Sequence, residues 1–149
     1  MANMRKAIRV YVVDDEDVIA YSLAMILRYN GGFHATAFDD SVEALEACLF
    51  EPPDLLITDV MMPKLNGIDL AIQVQEQCPN CRVLLFSGQL ATVSLLESVR
   101  AKGYNFEMLS KPVHPADLLT KIQNITDFPS QVFAPELLPE LSTQSQESN

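Results

Sequence analysis

Basic residues are scarce in this sequence: ten Lys and Arg stand against twenty Asp and Glu, which gives a formal net charge of -10. The basic residues are also scattered singly, and no cluster of them resembles the footprint of a phosphate backbone. Proteins that bind nucleic acid directly concentrate Lys and Arg on one face, because phosphate contacts supply much of their affinity. The sequence therefore predicts no direct contact with nucleic acid.

Long apolar runs are missing as well. The longest apolar stretches stay well short of the roughly 20 residues that a membrane-spanning helix needs, and residues 1–9 lack the apolar core of a signal peptide. We therefore expect a cytoplasmic protein without membrane insertion. The composition, 48% hydrophobic and 20% charged, is that of a folded globular protein, and 149 residues suit one domain.

Cysteine is limited to three residues, Cys48, Cys78 and Cys81, an odd number that does not form a disulfide framework. Cys78 and Cys81 match the C-x-x-C pattern, but redox versions place the first Cys at a helix N-terminus. Here the pattern follows a helical stretch and precedes a strand, and no second ligand pair stands at a spacing that suits zinc. We interpret it as a helix-to-strand turn.

What the chain does contain is a regular alternation of strand and helix patterns. Five β-rich apolar runs alternate with five stretches of helical spacing. The strands are predicted at 7–13, 33–38, 55–59, 82–86 and 106–110. The first helix is indicated by Ile19, Leu23, Ile26 and Leu27 and stops at 30–32; the second follows an Asp40 cap and carries an apolar stripe of Val42, Leu45 and Leu49. The third helix is predicted at 67–77, the fourth is indicated by Val93, Leu96 and Val99 before Gly103, and the fifth is predicted at 115–126 with Leu118, Leu119 and Ile122 inward.

Strict alternation with short connections predicts a parallel sheet with helices on both faces, an α/β doubly wound fold. We place this domain at residues 5–127. Residues 128–149 differ in character, with three prolines, three Glu and no Lys or Arg. Such a segment has no core of its own, and we predict an extended or disordered tail. We therefore expect no output domain on the chain.

Polar residues end four of the five predicted strands. Asp14 and Asp15 follow the first strand, Asp59 ends the third, Ser87 follows the fourth, and Lys111 follows the fifth. The carboxyl ends of parallel strands lie at one edge of a sheet, so these groups are expected to converge. Three carboxylates need a counter-charge, which Mg²⁺ supplies well, and Lys111 can neutralise phosphoryl oxygens. This chemistry suits phosphoryl transfer onto Asp59.

The combined pattern resembles the receiver domain of bacterial two-component response regulators, over roughly residues 5–127. The residues that carry the resemblance are Asp14-Asp15, Thr58-Asp59-x-x-Met62-Pro63-x-x-x-Gly67, Ser87 and Lys111-Pro112. The resemblance implies a flavodoxin-like fold with strand order 2-1-3-4-5. It also implies that Asp59 accepts a phosphoryl group from phosphohistidine on a sensor histidine kinase or phosphotransfer protein.

Further roles follow from the same resemblance. Asp14 and Asp15, with Asp59 and the backbone carbonyl of Met61, would hold Mg²⁺ (or Mn²⁺), while Ser87 and Lys111 would contact the phosphoryl group. The face made by the fourth helix, fifth strand and fifth helix is the family's usual partner surface. The protein would then be a switch that signals through protein–protein contacts rather than a turnover enzyme.

One departure from the family pattern is Met108, which stands where many receivers carry Tyr or Phe. Phe106 is predicted to point to the same face, one pleat away. Met61 and Gln89 occupy variable positions that often tune dephosphorylation. An alternative function is therefore a receiver-like interaction module that acts without phosphorylation. A second alternative, an aspartate-nucleophile phosphohydrolase, needs a second Asp where this chain has Met61, and a cap insertion for which its loops are too short.

Overall fold

The computed structural model describes residues 7–88 and 91–126, with the side chains of 91–93 and 126 left aside. The tail prediction for 128–149 and the variable position Gln89 lie outside these residues. Five strands alternate with five helices along the described chain, in the order β1 (Arg9–Val13), α1 (Asp17–Gly31), β2 (His34–Phe38), α2 (Ser41–Phe50), β3 (Leu55–Asp59), α3 (Gly67–Gln77), β4 (Arg82–Ser87), α4 (Ala91–Ala101), β5 (Glu107–Ser110) and α5 (Pro115–Thr126).

The strands form one parallel sheet in the order β2-β1-β3-β4-β5. This is the flavodoxin-like α/β arrangement, and the predicted fold class is confirmed. The central strand β3 is buried along its whole length, as expected of a parallel strand covered by helices on both faces. Among the described residues, no helix combines the length and apolar character needed to cross a membrane.

The sheet separates two hydrophobic cores, and β1 contributes alternate side chains to each. Val10 and Val12 pack on the side of α1 and α5, whereas Tyr11 and Val13 pack on the side of α2 and α3. This alternation follows from the period of two along a strand. Leu118, Leu119 and Ile122 of α5 are buried against the first core, which confirms their predicted inward direction.

Local capping fixes where the helices begin and end. Asp40 caps α2 as predicted, because its side chain accepts hydrogen bonds from the backbone N–H groups of Val42 and Glu43. Gly32 ends α1 with a φ of 71°, a conformation that glycine adopts without steric cost. The N–H of Phe33 also donates to the Leu27 carbonyl, at 3.1 Å. Phe33 therefore belongs to the helix end, and β2 begins one residue later than predicted.

The predicted apolar stripe of α2 is confirmed at Leu45, which packs against the core, but is wrong at Val42 and Leu49. Val42 and Leu49 are 40% and 48% exposed, and Leu45 is only partly buried. The inward positions are Ser41, Ala44 and Cys48. These small side chains let α2 approach its neighbours closely, whereas the apolar pattern indicated larger side chains on this face.

The C-x-x-C segment forms the turn that was predicted. The Cys78 N–H donates to the Val74 carbonyl at the end of α3, and the Cys81 N–H donates back to the Cys78 carbonyl. Burial raises the pKa of the Cys48 and Cys81 thiols to about 12. At neutral pH these two thiols are therefore protonated and unreactive.

Candidate functional site

Four predicted site residues lie at the carboxyl edge of the sheet. Asp14 directly follows β1, Asp59 is the last residue of β3, Ser87 is the last residue of β4, and Lys111 directly follows β5. The parallel register aligns these strand ends, since Val13 pairs with Thr58, Asp59 with Phe86, and Ser87 with Ser110. The topology thus brings residues up to 97 positions apart in the chain to one place.

Asp14, Asp15 and Asp59 form a compact group of carboxylates. One carboxylate oxygen from each lies within 4.8 Å of the other two. Asp14 is completely buried and Asp59 is 7% exposed, while Asp15 faces solvent. Hard oxygen ligands in this number suit a divalent cation that keeps some of its water, and the exposed Asp15 side leaves an open approach. The donor set therefore fits a divalent metal.

Lys111 supplies positive charge to the same group. Its Nζ lies 3.0 Å from an oxygen of Asp14 and 3.4 Å from an oxygen of Asp59. The ammonium also stands over the ring of Phe86, 5.0 Å from its centroid, which is a favourable cation–π position. The Lys111 backbone N–H donates to the Ser87 carbonyl at 3.1 Å, so that the lysine is held against the end of β4.

Opposing effects act on the pKa values of Asp59 and Lys111. Burial, together with the nearby charge of Asp14, raises the pKa of Asp59, although Lys111 and the Val60 N–H favour its charged form. Burial also disfavours the Lys111 ammonium, but the hydrogen bond to Asp14 and the charges of both carboxylates outweigh this and raise the Lys111 pKa. The site thus gains from an additional positive charge near its carboxylates.

The loop after β3 is fixed in place around Asp59. Asp59 Oδ1 accepts a hydrogen bond from the Val60 N–H at 2.9 Å, and the Thr58 hydroxyl donates to the Asp59 carbonyl at 2.9 Å. The Gly67 N–H donates to the Val60 carbonyl at 2.8 Å. A Cβ at position 67 would lie 1.8 Å from the Asp59 carbonyl oxygen, so only glycine permits this approach.

The remaining predicted residues occupy the edge in different ways. Ser87 is 3% exposed and sits beside the backbone of Lys111. Met61 lies on the loop two residues after Asp59, with its side chain 54% exposed. An apolar side chain thus stands where a phosphohydrolase would carry its second acid.

Met108 lies in β5, paired with Leu85 of β4, and is half-buried. Phe106 packs into the same core as Met108, which confirms the predicted shared face. The ring of Phe106 stacks on Tyr104, with centroids 5.9 Å apart, and the Tyr104 hydroxyl donates to Glu76 of α3 at 2.8 Å. Aromatic groups therefore pack in this core just before β5 begins, two and four residues ahead of Met108.

Several features of the site were not predicted from the sequence. Phe86 was assigned only to a buried strand, and nothing in its pattern indicates the ammonium above its ring. The backbone N–H groups of Glu16 and Val60 hold the carboxylates of Asp14 and Asp59, at 2.8 and 2.9 Å. Backbone donors are present at every residue, so their use at one place depends on loop geometry that spacing does not encode.

Fold and site together define a class of protein: a doubly wound α/β domain with an acidic group and a lysine at its carboxyl edge. A family model described as the response regulator receiver domain matches residues 10–123. The chain belongs to this family. It is accordingly a phosphoacceptor signalling protein of two-component systems rather than a turnover enzyme, and its family implies a histidine kinase as partner.

Individual relatives support this membership. The chain is 32% identical over 117 residues to the response regulator receiver protein CpdR of Brucella abortus, covering 78% of this chain and 95% of that protein. It is 32% identical to the probable transcriptional regulatory protein TcrX of Mycobacterium tuberculosis, covering 80% of this chain but only 52% of that protein. A receiver domain structure from Clostridium thermocellum superposes with a TM-score of 0.71 at 28% identity, covering 80% and 94% of the two chains.

Proposed function

We propose that Asp59 accepts a phosphoryl group from phosphohistidine on a sensor histidine kinase or phosphotransfer protein, with Mg²⁺ (or Mn²⁺) bound at the acidic group. The observation that carries this proposal is the position of the Lys111 ammonium, 3.4 Å from an Asp59 oxygen and 3.0 Å from Asp14. One side chain thus contacts both the acceptor and a metal-type ligand. The negative charge of the incoming phosphoryl group would be neutralised by the Lys111 ammonium and by the bound metal ion.

In the proposed transfer, an Asp59 oxygen forms a bond to phosphorus while the bond from phosphorus to the donor imidazole breaks. The imidazole leaves with the electron pair of that bond and takes a proton from solvent. Lys111 is placed to neutralise one phosphoryl oxygen, and the Ser87 hydroxyl is assigned as a donor to another. A fixed Asp59 loop lowers the entropic cost of the reaction, because the acceptor is oriented in advance.

Asp14, Asp15, Asp59 and the backbone carbonyl of Met61 are the groups we assign to the metal. When bound, a divalent ion there offsets negative charge on the carboxylates and on the phosphoryl group. The burial of Asp14 and Asp59 supports this assignment, since buried carboxylates of like charge favour a bound cation.

We further propose that the phosphorylated protein acts in the cytoplasm by binding another protein, through the face formed by α4, β5 and α5. The domain is assigned to residues 5–127 and the tail to 128–149. The chain covers 95% of the response regulator receiver protein CpdR of Brucella abortus, which supports a signalling role for the receiver domain itself.

The test is labelling with acetyl phosphate and Mg²⁺. The wild-type protein is expected to gain a base-labile acyl phosphate, and Asp59→Asn, which keeps the side-chain shape, is expected to gain none. Asp39→Ala serves as the matched control, because Asp39 is an exposed acid at the same edge of the sheet. Undiminished labelling of Asp59→Asn would overturn the assignment of the acceptor.

A second candidate function is an interaction module that works without phosphorylation. The half-buried Met108 favours it, since this position carries no aromatic ring to couple with the Ser87 hydroxyl. The discriminating measurement is partner affinity. Equal affinities for the wild type and Asp59→Asn, before and after treatment with acetyl phosphate, would select this candidate over a phosphorylation-controlled switch.

A further inference from the structure

The loop between β3 and α3, residues 60–66, carries the Met61 carbonyl that we assign to the metal. At the base of the loop, the Gly67 N–H donates to the Val60 carbonyl at 2.8 Å, and the Val60 N–H donates to an oxygen of Asp59 at 2.9 Å. Within the described part of the chain, no hydrogen bond holds Met61 itself. The position of its carbonyl therefore depends on how the rest of the loop is held.

The tip of this loop has a backbone conformation that needs support. Lys64 has a φ of 70°, and among the described residues it is the one non-glycine residue in the left-handed region. The Cβ of an L-residue crowds the backbone in that region, so the intrinsic preference of Lys64 disfavours the observed loop. Contacts from elsewhere in the fold must therefore hold the tip.

Two side chains at the start of α2 supply these contacts. The Lys64 ammonium pairs with Oδ2 of Asp40 at 2.7 Å, while Oδ1 of the same carboxylate accepts from the first backbone N–H groups of α2. One residue further along, the Ser41 hydroxyl donates to the Pro63 carbonyl at 3.3 Å. An ion pair and a hydrogen bond thus tie the tip of the loop to the first turn of α2.

The two contacts differ in how strongly water weakens them. Ser41 is 3% exposed, so its hydrogen bond to Pro63 forms largely out of contact with solvent. The side chains of Lys64 and Asp40 are 63% and 24% exposed, so solvent screens their ion pair. The hydrogen bond from Ser41 is therefore the firmer anchor, and the ion pair adds to it.

Both contacts lie close to the acidic group. Asp15, Ser41 and Lys64 line one small hollow, with a volume of about 40 Å³. Met62, the neighbour of Met61 in the chain, lines the same hollow. A change at either contact therefore acts over a short distance on the groups that we assign to the metal.

We propose that Ser41 and Lys64 are positioning residues for the metal, because they hold the tip of the loop where the Met61 carbonyl completes the ligand set of the acidic group. This inference rests on the proposed function. Neither side chain is assigned a contact with the metal or with the phosphoryl group. Both act by ordering the loop in advance, so that binding of the ion costs less conformational entropy.

The test is the affinity of the full chain for Mn²⁺ without a phosphoryl donor, measured from the free Mn²⁺ signal in electron paramagnetic resonance. Ser41→Ala removes the hydrogen bond without a change of charge and is expected to raise the Kd about threefold. Lys64→Gly removes the ammonium but keeps the left-handed conformation, which glycine adopts freely. It is also expected to raise the Kd about threefold, and the double variant should raise it about tenfold.

Lys64→Gly separates positioning from a simple effect of charge. Removal of a cation near the acidic group favours metal binding by electrostatics alone and lowers the Kd, whereas loss of positioning raises it. A Kd that falls or stays unchanged in Lys64→Gly would therefore overturn the role of Lys64. Lys64→Arg keeps the charge and the means to pair with Asp40, and it is expected to retain the wild-type Kd.

Ala44→Gly is the matched control for a purely structural role. It weakens α2 at a buried position whose side chain takes part in neither contact. We expect it to lower stability in urea with EDTA while leaving the Kd for Mn²⁺ unchanged. An unchanged Kd in Ser41→Ala, or an equal rise in Ala44→Gly, would show that Ser41 only stabilises the fold and would overturn the proposal.

Labelling with acetyl phosphate on the same samples gives a second readout. At low Mg²⁺ the double variant is expected to label about tenfold more slowly than the wild type, and at saturating Mg²⁺ equally fast, because the loop acts through the ion. A rate that stays low at saturating Mg²⁺ would overturn positioning as the cause. Raised Kd values in the variants, together with no labelling of wild-type Asp59, would reject the proposed function while leaving the positioning role established.

Discussion

At the scale of a single residue, the ammonium group of Lys111 has two effects that oppose each other. It forms ion pairs with Asp14 and Asp59, which stabilises buried carboxylates, and it is proposed to neutralise the phosphoryl group. A cation so close to the carboxylates also repels a divalent metal. Metal affinity and stability of the metal-free protein are therefore coupled through this side chain, in opposite directions.

Lys111→Met separates these effects. Without metal, the variant leaves two buried carboxylates unpaired, and its free energy of unfolding is expected to fall by about 3 kcal/mol. With Mg²⁺, the difference from the wild type should narrow, because removal of the repelling ammonium raises metal affinity by about tenfold, or about 1.4 kcal/mol. Urea unfolding in EDTA and over a Mg²⁺ series measures both changes.

The matched control for that experiment is Lys121→Met. Lys121 pairs with Glu107 at 3.1 Å, but both side chains are substantially exposed, so the expected loss is less than about 1 kcal/mol. Its response to Mg²⁺ should equal that of the wild type. An equal response in Lys111→Met as well would contradict the metal assignment at Asp14, Asp15 and Asp59.

The convergence of these side chains could be predicted from the sequence, because the ends of the strands can be recognised in it. Asp14, Asp59 and Lys111 each follow an apolar run, and a parallel sheet brings such ends together. The position of Phe86 under the Lys111 ammonium was not predictable in this way. It depends on the rotamer of the Lys111 side chain and on how far the ends of β4 and β5 extend relative to each other. The hydrophobic periodicity of the sequence indicates neither.

At the scale of elements, the turn between β3 and α3 holds the acceptor. Gly67 begins α3 and approaches the Asp59 backbone so closely that an added Cβ would meet its carbonyl oxygen and carbon at 1.8 and 2.8 Å. Both contacts are to backbone atoms, which no rotamer change can relieve. The first residue of α3 therefore determines where the end of β3 lies.

Gly67→Ala is expected to lower the free energy of unfolding by at least about 3 kcal/mol and to reduce labelling of Asp59, since the loop must move. Gly88→Ala is the matched control at the same edge of the sheet. The nearest atom to an added Cβ at position 88 is the Cβ of Lys111, at a normal van der Waals distance of 3.7 Å. The stability of this variant should change by less than about 0.5 kcal/mol. Equal losses in both variants would contradict the steric account.

α2 shows where sequence reasoning reaches its limit for an element. The start of α2 was predicted from Asp40, because an Asp side chain at a helix N-terminus accepts hydrogen bonds from the first free N–H groups. The inner face of α2 was not predicted, because Val42 and Leu49 are more apolar than the Ser41 and Ala44 that occupy it. Close packing selects small residues there, and hydrophobicity alone does not report that constraint.

Asp40 also predicts how α2 responds to pH. The hydrogen bond from Lys64, at 2.7 Å, and those from the Glu43 and Val42 N–H groups lower the pKa of Asp40 below its usual value. A lowered folded-state pKa contributes stability above the unfolded-state value, and that contribution is lost as pH falls through the folded-state pKa.

Asp40→Asn should therefore lie below the wild type in stability at pH 7 and approach it in acid, while Asp40→Ala, without a capping oxygen, should remain less stable at both. Thermal melts from pH 7 to pH 3 measure this order. A constant gap between the wild type and Asp40→Asn over this range would contradict the pKa argument.

At the scale of the whole molecule, one sheet with a core on each face links most of the described chain into a single unit. Cys48 of α2 and Cys81 before β4 lie in the same core, at 0% and 2% exposure, although they come from different elements. Their thiols can be reached only when α2 or α3 separates from the sheet. Cys78, between them in the chain, is half-buried.

The rate of alkylation of the buried thiols therefore reports how often the molecule opens. With iodoacetamide at pH 8, native protein is expected to modify at Cys78, while Cys48 and Cys81 react at least about 10³-fold more slowly, through an opening close to global unfolding. In the closed molecule, burial holds the pKa of both thiols at about 12, so that they do not react without opening. Mass spectrometry locates each adduct, and Cys78→Ser should leave native protein almost unreactive. Modification of Cys48 at the rate of Cys78 without denaturant would show that α2 opens by itself and that the core on its face of the sheet is not one cooperative unit.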